Sequence, residues 1–404
     1  MSNLSYLEKL LDGVDVEWKP LSDIASITIG EFVHKNKQDP NAKYPVYNGG
    51  ISPTGYYEKY NNTGDKIIVS ARGANAGFVN RISQPYWAGN SCYSVGAKNS
   101  AEINWTYIFY FLKNSETKLI GEQQKGGIPA VSKKQMEVFQ IPIPCPNNPE
   151  KSLEIQAEIV RILDTFTAMT AELTAELNLR NKQYNYYRDQ LLSFEEGDVE
   201  WKTLGEIAEY SKTRIGSSEL DKSNYVGVNN LLQNRAGKTT SDHVPTEGNS
   251  TGYQNNDILI GNIRPYLKKI WCADRVGGTN GDVLVVRTTD KTINPKYLYQ
   301  VLSDDKFFEY NMQHSKGAKM PRGSKNKIME YLVPIPNANE PEKSLTEQAR
   351  IVTILGKFDT LTSSIQEGLP REIELRQKQY EYYRDLLLSF PQSSSDEPPL
   401  KERT

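Results

Sequence analysis

The stretch NKQYNYYRDQLLSF, residues Asn181 to Phe194, returns near the end of the chain as QKQYEYYRDLLLSF, residues Gln377 to Phe390. A near-identical phrase at half-chain distance indicates an internal repeat, which constrains the architecture more than any local pattern does. The repeat also extends upstream, where IPIPCPNNPEKSLEIQAEIVRILDTFTAMT from Ile141 matches VPIPNANEPEKSLTEQARIVTILGKFDTLT from Val333. The two halves of the chain are therefore related over long segments.

The repeat is circular. After the first copy the match continues through DVEWKTLGEI, Asp198 to Ile207, whereas nothing equivalent follows the second copy. The counterpart is DVEWKPLSDI, Asp15 to Ile24, at the opposite end of the chain. The halves are thus related like a closed ring that was cut inside one repeat. Such a ring predicts a pseudo-twofold molecule whose termini lie close together.

Both copies carry apolar residues at alternating steps of four and three, the heptad pattern of helices that pack along one stripe. The stripe runs from Ile159 to Phe194 in the first copy and from Ile351 to Phe390 in the second. It predicts two long helices that pair antiparallel, the first on the order of 65 Å long. A glycine and a proline, Gly368 and Pro370, predict a kink or break in the second helix.

Prolines precede each predicted helix. They are expected to stop any helix before the stripe begins, and they are Pro142, Pro144 and Pro149 in the first copy and Pro334, Pro336 and Pro341 in the second. Serines follow them at Ser152 and Ser344, and both are predicted as helix N-caps.

Two unlike blocks lie between the repeated pieces, roughly Pro20 to Gln140 and Thr203 to Leu332. Short β-branched runs bounded by Gly and Asn predict strands joined by turns; they include KIIVSARG from Lys66, DILIGNIRPYL from Asp257 and DVLVVR from Asp282. Two further stretches predict helices, WTYIFYFLKN from Trp105 and PKYLYQVLSDDKFFEY from Pro295. The blocks therefore read as α+β domains.

The predicted fold class is α+β, with two globular domains separated by two long antiparallel coiled-coil helices in a circular pseudo-twofold repeat. The predicted segments are 1–19, an N-terminal segment that completes the circular repeat; 20–145, domain 1; 146–201, the central repeat with a long helix; 202–337, domain 2; 338–390, the C-terminal repeat with a long helix; and 391–404, a disordered tail.

The composition narrows the class of protein. A hydrophobic share of 37% and a mean hydropathy of −0.61 are typical of a globular protein with a polar surface. No apolar run reaches the roughly 18 residues of a membrane span, and the N-terminus lacks a signal-peptide pattern. We therefore expect a cytoplasmic protein. Three distant cysteines, Cys92, Cys145 and Cys272, form neither a disulfide framework nor a zinc-binding spacing.

The net charge of −2 conceals a strong regional difference. The segments from Lys19 to Cys145 and from Lys202 to Pro336 each carry a net charge of +5, so the remainder carries −12. Two basic blocks separated by acidic material predict a surface that binds a polyanion.

Motifs for catalysis are missing from the sequence. AGKTT, Ala236 to Thr240, resembles the end of a phosphate-binding loop, but Leu232 stands where that loop needs its first glycine. The sequence has no HExxH, no GxSxG and no NPPY-like methyltransferase motif, and its three histidines, His34, His243 and His314, lie far apart. We therefore expect no catalysis and no bound metal or cofactor, with a nuclease built from scattered carboxylates and a lysine as the open alternative.

Basic residues recur at matching places in the two blocks. NMQHSKGAKMPRGSKNK, Asn311 to Lys327, holds five cations and no acid, with Gly and Ser spacing that lets the backbone approach phosphates. QQKGGIPAVSKK, Gln123 to Lys134, holds the equivalent place in the first block. The segments ARGANAG from Ala71 and NIRPYLKK from Asn262 each add an arginine beside flexible or aromatic neighbours.

Arginine pairs bidentately with guanine and asparagine with adenine, so these segments suit DNA. Any one such residue is more commonly a solvated surface side chain, and the recurrence in both blocks favours the DNA interpretation. The candidate DNA-binding residues are Arg72, Asn75, Lys125, Lys133, Lys134, Arg264, Tyr266, Lys268, Lys269, Lys316, Lys319, Arg322 and Lys325.

The repeated segments resemble the specificity subunits of type I restriction-modification enzymes, particularly those of the IC group. The resemblance covers about a third of the chain; it is carried by IPIPCP, PEKSL, QAEIVRILD, TAELTAEL, QYNYYRDQLLSF and DVEWKTLGEI, and by the second set that ends in GLPREIELRQKQYEYYRDLLLSF. By this resemblance, each block is a target recognition domain that reads one half of a split double-stranded DNA site.

The resemblance also implies partners. The long helices would set the gap between the half-sites and dock two methyltransferase subunits, and restriction subunits that translocate DNA would join through the complex. S-adenosylmethionine, ATP and Mg would be bound by those partners, and this chain would be non-catalytic. The tandem TAELTAEL, Thr170 to Leu177, predicts a spacer effect, since one TAEL changes a continuous helix by about 6 Å.

Two alternatives from other classes stay open at the level of sequence. One is a coiled-coil adaptor whose two domains bind proteins, with incidental basic loops. The other is a self-sufficient nuclease or methylase. Binding of the purified complex to duplex DNA with a steep salt dependence would argue against the adaptor, and activity of the pure chain with metal or methyl donor would identify the enzyme.

Overall fold

The computed structural model describes residues 6–98, 101–120, 129–195, 199–363 and 368–391. The helices are α1 Tyr6–Leu11, α2 Leu21–Ile24, α3 Trp105–Asn114, α4 Glu116–Ile120, α5 Lys133–Val138, α6 Pro149–Leu191, α7 Leu204–Ile207, α8 Pro295–Leu302, α9 Asp305–Gln313, α10 Lys325–Met329, α11 Pro341–Ser363 and α12 Leu369–Leu387.

The strands are short, and most of them are antiparallel to their neighbours. They are β1 Val16–Pro20, β2 Ala25–Ile29, β3 Tyr44–Tyr47, β4 Gly55–Tyr57, β5 Lys66–Ser70, β6 Val79–Ile82, β7 Trp87–Ala88, β8 Cys92–Ala97, β9 Gln140–Pro144, β10 Val199–Thr203, β11 Ala208–Tyr210, β12 Arg214–Gly216, β13 Asn249–Tyr253, β14 Ile258–Gly261, β15 Ile270–Cys272, β16 Gly277–Thr279, β17 Val283–Thr288 and β18 Leu332–Pro336.

The chain divides into two compact units. Unit 1 comprises Met1–Met169 and Arg376–Thr404, and unit 2 comprises Thr170–Leu375. Each unit combines one of the two blocks with parts of the repeated helical segments. The six-segment division made from the sequence stays a prediction. None of the helices among the described residues combines the length and the hydropathy that a membrane span requires.

Unit 1 is built on a four-stranded antiparallel sheet in the order β2-β8-β5-β6 and a three-stranded sheet in the order β4-β3-β7. A separate ribbon pairs β1 with β9, with Trp18 opposite Pro142. The core of the main sheet, including Val69 and Tyr107, is continuous with Leu163 of α6 and Leu387 of α12. The globular block therefore shares one hydrophobic core with the helices of its own unit.

Unit 2 repeats this plan with a different sequence. Its main antiparallel sheet has the order β11-β17-β14-β15, and β10 pairs with β18 so that Trp201 lies opposite Pro334. The strand order matches that of unit 1 position by position, with β14 in the place of β5. Two blocks with little sequence similarity therefore have the same main-sheet topology, which the sequence comparison missed.

The helices pair antiparallel within each unit, as predicted. In unit 1, Phe166 of α6 stacks on Tyr383 of α12 with 5.2 Å between ring centroids, while the earlier Ile155 shares a cluster with the later Leu387. In unit 2, Tyr187 of α6 stacks on Phe358 of α11 with 5.4 Å between centroids, while the later Leu192 shares a cluster with the earlier Ile351. The predicted break of the second long helix is also confirmed, since Gly368 has a φ of +95°, which an α-helix cannot contain.

The predicted helix starts are wrong. The long helices begin at Pro149 and Pro341, three residues before the serines predicted as caps. Proline at the first helical position costs no hydrogen bond, because that N–H has no partner inside a helix. Asn148 occupies the capping place, and its side-chain oxygen accepts a hydrogen bond from Lys151 N at 3.2 Å.

The shorter predicted helices fare differently. The helix predicted from Trp105 to Asn114 is confirmed as α3. The helix predicted from Pro295 to Tyr310 is divided, because Asp304 caps a new helix, α9, by accepting a hydrogen bond from Lys306 N at 2.8 Å. The predicted tail lies outside the described residues beyond Pro391.

Candidate nucleic-acid interface

A fully buried glutamine joins the long helix of unit 1 to its globular block. Gln156 of α6 accepts a hydrogen bond from Asn104 N at 2.8 Å, directly before α3, and donates to Ser152 Oγ at 3.0 Å. Tyr107 of α3 donates to the carbonyl oxygen of Pro142 at 2.8 Å. These bonds fix the orientation of α3 relative to the start of α6. They thereby also orient the sheet that α3 covers.

Unit 2 has the same junction. Gln348 of α11 is fully buried, accepts from Asn294 N at 2.8 Å and donates to Ser344 Oγ at 3.0 Å. Tyr297 of α8 donates to the carbonyl oxygen of Pro334 at 2.7 Å. Since buried polar groups must be paired, these matching bonds define a frame shared by the two units.

In unit 1, the turn after β5 lies against the segment that precedes α5. Gly73 N donates to the carbonyl oxygen of Pro129 at 3.0 Å, and Val131 N donates to that of Ala71 at 2.8 Å. Arg72 forms an isolated β-bridge with Ala130. The predicted residues Arg72 and Asn75 are thereby brought to the loop that leads into Lys133 and Lys134, the first two residues of α5. Lys125 lies outside the described residues.

In unit 2, the turn after β14 lies against the segment that precedes α10 in the same way. Arg264 N donates to the carbonyl oxygen of Pro321 at 2.7 Å, and Ile263 forms an isolated β-bridge with Arg322. Lys325 is the first residue of α10. The predicted turn and the predicted basic loop therefore meet in both units.

The pairing partners show that the two predicted arginines are not equivalent. Gly73 and Arg264 each donate to the proline of the opposing segment, so Arg264 corresponds to Gly73 and Arg72 corresponds to Ile263. The two turns therefore correspond, while their arginines are offset by one residue. Sequence reasoning missed this offset because it is set by long-range pairing between segments.

Most of the predicted residues are exposed in these two places. The exposed ones are Arg72, Lys133, Lys134, Arg264, Tyr266, Lys316, Lys319, Arg322 and Lys325, and Asn75 is partly exposed. Arg322 pairs with Asp282 at 3.0 Å and Lys133 with Glu137 at 3.5 Å, both at the surface. Because exposed ion pairs are weak, these cations are able to exchange a carboxylate for a phosphate.

Lys268 and Lys269 are placed differently. Lys268 Nζ pairs with Asp305 at 2.7 Å, and Lys269 Nζ donates to the carbonyl oxygen of Val228 at 2.8 Å. Burial lowers the pKa of both ammonium groups. Both lysines are thus engaged within the chain, and the structure does not bring them into the exposed set, so their contact with DNA stays a prediction.

Gly323 allows the basic loop of unit 2 to pack closely against the turn after β14. Its backbone N donates to the carbonyl oxygen of Asn262 at 3.1 Å, and a Cβ at this position would overlap the buried side-chain oxygen of Asn311. A larger residue would require the side chains of Asn311 and Asn262, or the loop that carries Arg322, to shift. An exposed cation, Arg322, is therefore followed by a glycine whose backbone packs closely against Asn262 and Asn311. From the sequence alone, Gly323 cannot be told apart from a glycine that only makes the loop flexible.

Within the described residues, no three His, Cys, Asp or Glu side chains are grouped so as to hold a metal ion.

Known proteins match this chain along nearly its whole length. The sequence profile described as "Type I restriction modification DNA specificity domain" matches residues 13–180 and 196–375. The type I restriction enzyme EcoR124I/EcoR124II specificity subunit of Escherichia coli is 39% identical over 97% of this chain and 98% of its own length. The EcoprrI specificity subunit of Escherichia coli is 32% identical over 91% of this chain and 93% of its own length.

A solved structure supports the fold. The crystal structure of a type I restriction-modification S subunit from M. genitalium aligns with a TM-score of 0.62 at 18% identity, covering 94% of this chain and 97% of that chain. The mixed α and β architecture with long helices is thus shared with a specificity subunit of known structure.

Proposed function

This chain belongs to the family of type I restriction-modification DNA specificity subunits, and on that premise we propose that its two globular blocks each read one half of a bipartite DNA site. The observation that carries the proposal is the recurrence of one arrangement in both units. A turn that follows the third strand of the main sheet pairs with a basic loop that leads into a short helix. Exposed cations at both places suit phosphate contacts, and the turns suit base contacts.

The difference between the turns supports two different half-sequences. Unit 2 presents Arg264 and the half-exposed Tyr266, whereas unit 1 presents Arg72 beside Gly73. Side chains of different length and hydrogen-bonding capacity at corresponding places favour different base edges. A bipartite site with two dissimilar halves follows.

The long helices supply the second part of the proposal. Each copy of the repeated phrase exposes a pair of adjacent tyrosines, Tyr186 and Tyr187 in α6 and Tyr382 and Tyr383 in α12. Exposed aromatic side chains are the typical anchors of protein interfaces. Two copies of one anchor suit two copies of one partner, so the helices dock two methyltransferase subunits.

Catalysis belongs to those partners in this proposal. The methyltransferase subunits bind S-adenosylmethionine and modify adenine, and restriction subunits that join the complex use ATP and Mg to translocate and cleave DNA. The relatives of this chain are specificity subunits, and its role is to bring the partners to a defined sequence. The adaptor interpretation is not favoured, because the matching family is described by DNA specificity.

The test is DNA binding by the chain assembled with its methyltransferase subunits. We expect tight binding to duplexes that carry the full site, and a steep loss of affinity as salt rises, since several phosphates are neutralised. Duplexes with either half scrambled should bind much more weakly. Equal binding to all duplexes, or binding that salt leaves unchanged, would contradict the proposal.

A further inference from the structure

The turn of unit 2 that carries Arg264 and Tyr266 is bounded by two residues in the left-handed backbone region. Arg264 has a φ of 53° and Lys268 a φ of 49°. Residues other than glycine rarely adopt this backbone conformation, and it persists where neighbouring contacts hold the backbone in place. The turn therefore needs an external brace.

The brace is a small charged cluster centred on Asp305, the first residue of α9. Its carboxylate pairs with Lys268 Nζ at 2.7 Å and also with the guanidinium of Arg235. Arg235 donates its backbone N–H to the carbonyl oxygen of Lys268 at 2.9 Å and its Nε–H to that of Ser303. Side-chain and backbone contacts thus tie the end of the turn to the start of α9 from two directions.

Arg235 is an unusual choice for a brace, because its side chain is only 11% exposed. Burial lowers the pKa of its guanidinium to about 10, with the charge of Arg188 acting in the same direction, and the group stays cationic at neutral pH. A buried cation is costly unless it is paired. The carboxylate of Asp305, which pairs directly with Arg235, and the nearby charge of Asp304 therefore make this position of Arg235 tolerable. Loss of the Asp305 carboxylate would remove the direct ion pair from both Arg235 and Lys268.

The corresponding turn of unit 1 adopts left-handed backbone angles without a charged cluster of this kind. Its positive φ angles occur at two glycines, Gly73 and Gly77, where the left-handed region costs little. At the matching helix start, Glu116 pairs with Lys113 at 2.7 Å and accepts from Val79 N at 2.7 Å, which ties it to β6 and α3. A defect at Asp305 should thus affect one half-site only.

We propose that Asp305 is a positioning residue for sequence recognition by unit 2: by pairing with Arg235 and Lys268 it holds the turn so that Arg264 and Tyr266 meet the bases in one orientation. The inference rests on the proposed function of that turn as a DNA reader. In this proposal Lys268 stabilises the turn through its ion pair with Asp305 and does not contact DNA.

The test compares variants in the complete modification complex, using duplexes with single base changes in one half-site or the other. Asp305→Asn should reduce discrimination in the half read by unit 2 by about tenfold, and leave discrimination in the other half unchanged. Asp305→Glu should retain most of the discrimination in that half-site, because glutamate keeps the negative charge. Asp274→Asn, which removes an exposed pair with Arg275 in the same unit, is the matched control and should change neither half.

Arg264→Ala separates the inference from its premise. If Arg264→Ala relaxes one half-site while Asp305→Asn relaxes neither, the positioning role is overturned and the reading turn stands. If Arg264→Ala leaves discrimination in both half-sites unchanged, the turn does not recognise bases, and both the proposed function of the turn and the inference are overturned. Equal loss in both halves for Asp305→Asn would indicate a general structural role and also overturns the inference. Should Asp305→Asn fail to assemble, Lys268→Gln decides in its place, and unchanged discrimination would overturn the role.

Discussion

The edge strands of the two main sheets occupy the same place and carry different chemistry. In unit 1, Arg81 lies opposite Ile67, forms a two-pronged ion pair with Asp65 and donates to Thr106 Oγ1 at 2.8 Å. In unit 2, Cys272 takes the corresponding place opposite Ile258 and lines a cavity of about 750 Å³. Burial raises the pKa of its thiol to about 12, so the side chain is neutral at physiological pH.

The junctions with the long helices do not differ in this way. Gln156 and Gln348 are both fully buried and make the same bond to the residue that precedes a block helix. The contrast teaches that residues of the repeat, together with the matching block residues that bond to them, build a constant frame, while the edge strands of the two blocks differ. Changes in the frame should therefore damage folding, and changes in the turns and edges should alter recognition or cost little.

The largest effect is expected at the frame. Gln348→Leu leaves Asn294 N and the carbonyl oxygen of Thr292 without their buried partner, so the free energy of unfolding should fall by about 2–3 kcal/mol. Gln156→Leu should behave alike. Chemical denaturation monitored by circular dichroism measures both. Thr346→Ala, an exposed position on α11, is the control, and a Gln348→Leu loss no larger than that of the control would refute the frame.

A smaller effect is expected at the basic loop of unit 2. Arg322→Ala combined with Lys325→Ala removes two exposed cations, so DNA binding should weaken by about tenfold at moderate salt, and the slope of log affinity against log salt should flatten by about 2 units. Assembly should be retained. Lys212→Ala combined with Arg275→Ala removes the same charge elsewhere in unit 2 and should do much less. Undiminished affinity of the first double variant would dismiss this loop.

The proposed docking surface offers a stepwise test, because the repeat presents it in two corresponding copies. Tyr186 is 60% exposed and Tyr382 is 64% exposed. Replacing either with alanine should weaken one methyltransferase site by about tenfold. At a subunit concentration between the Kd of the intact site and that of the weakened site, native mass spectrometry should find mainly complexes with one methyltransferase subunit for each single variant, and mainly the free chain for the double variant. Full occupancy in the double variant would place the docking surface elsewhere.

The smallest effect is expected at the variable edge. Arg81→Cys introduces the unit 2 residue into unit 1 and loses a partly exposed ion pair, whose contribution solvent screening limits to at most about 1 kcal/mol. Thermal melting should shift by only a few degrees for a domain of this size. Half-site recognition should be unchanged. A collapse of unit 1 would show that the edge belongs to the constant frame.

Much of the fold follows from sequence patterns, and the failures have physical causes. Heptad spacing predicts the paired helices, and β-branched runs predict strands such as β5 and β14, because these signals are local. Strand order depends on long-range pairing, so the common topology of the two blocks was not foreseen. The predicted caps at Ser152 and Ser344 are misplaced, because proline is tolerated at the first position of a helix and the helices begin at Pro149 and Pro341.

The candidate site shows the same limit. Residue types and their spacing predict its turns and basic loops, and the structure brings them together. The inward placement of Lys268 depends on Asp305, which is distant in sequence, so residue type alone could not reveal it. A signal for the buried glutamines does exist, since Gln156 and Gln348 stand at the same place of the repeat, in QAEIV and QARIV.

Adenine methylation in cells tests the central claim most directly. Cells that carry the full modification enzyme with one, two or three copies of TAEL in α6 are sequenced for modified adenines. We predict one bipartite motif per variant, with identical half-sequences and a gap that widens as TAEL is added, since each copy lengthens the helix by about 6 Å. A gap that stays constant across the three variants, or a single uninterrupted motif, would contradict the account.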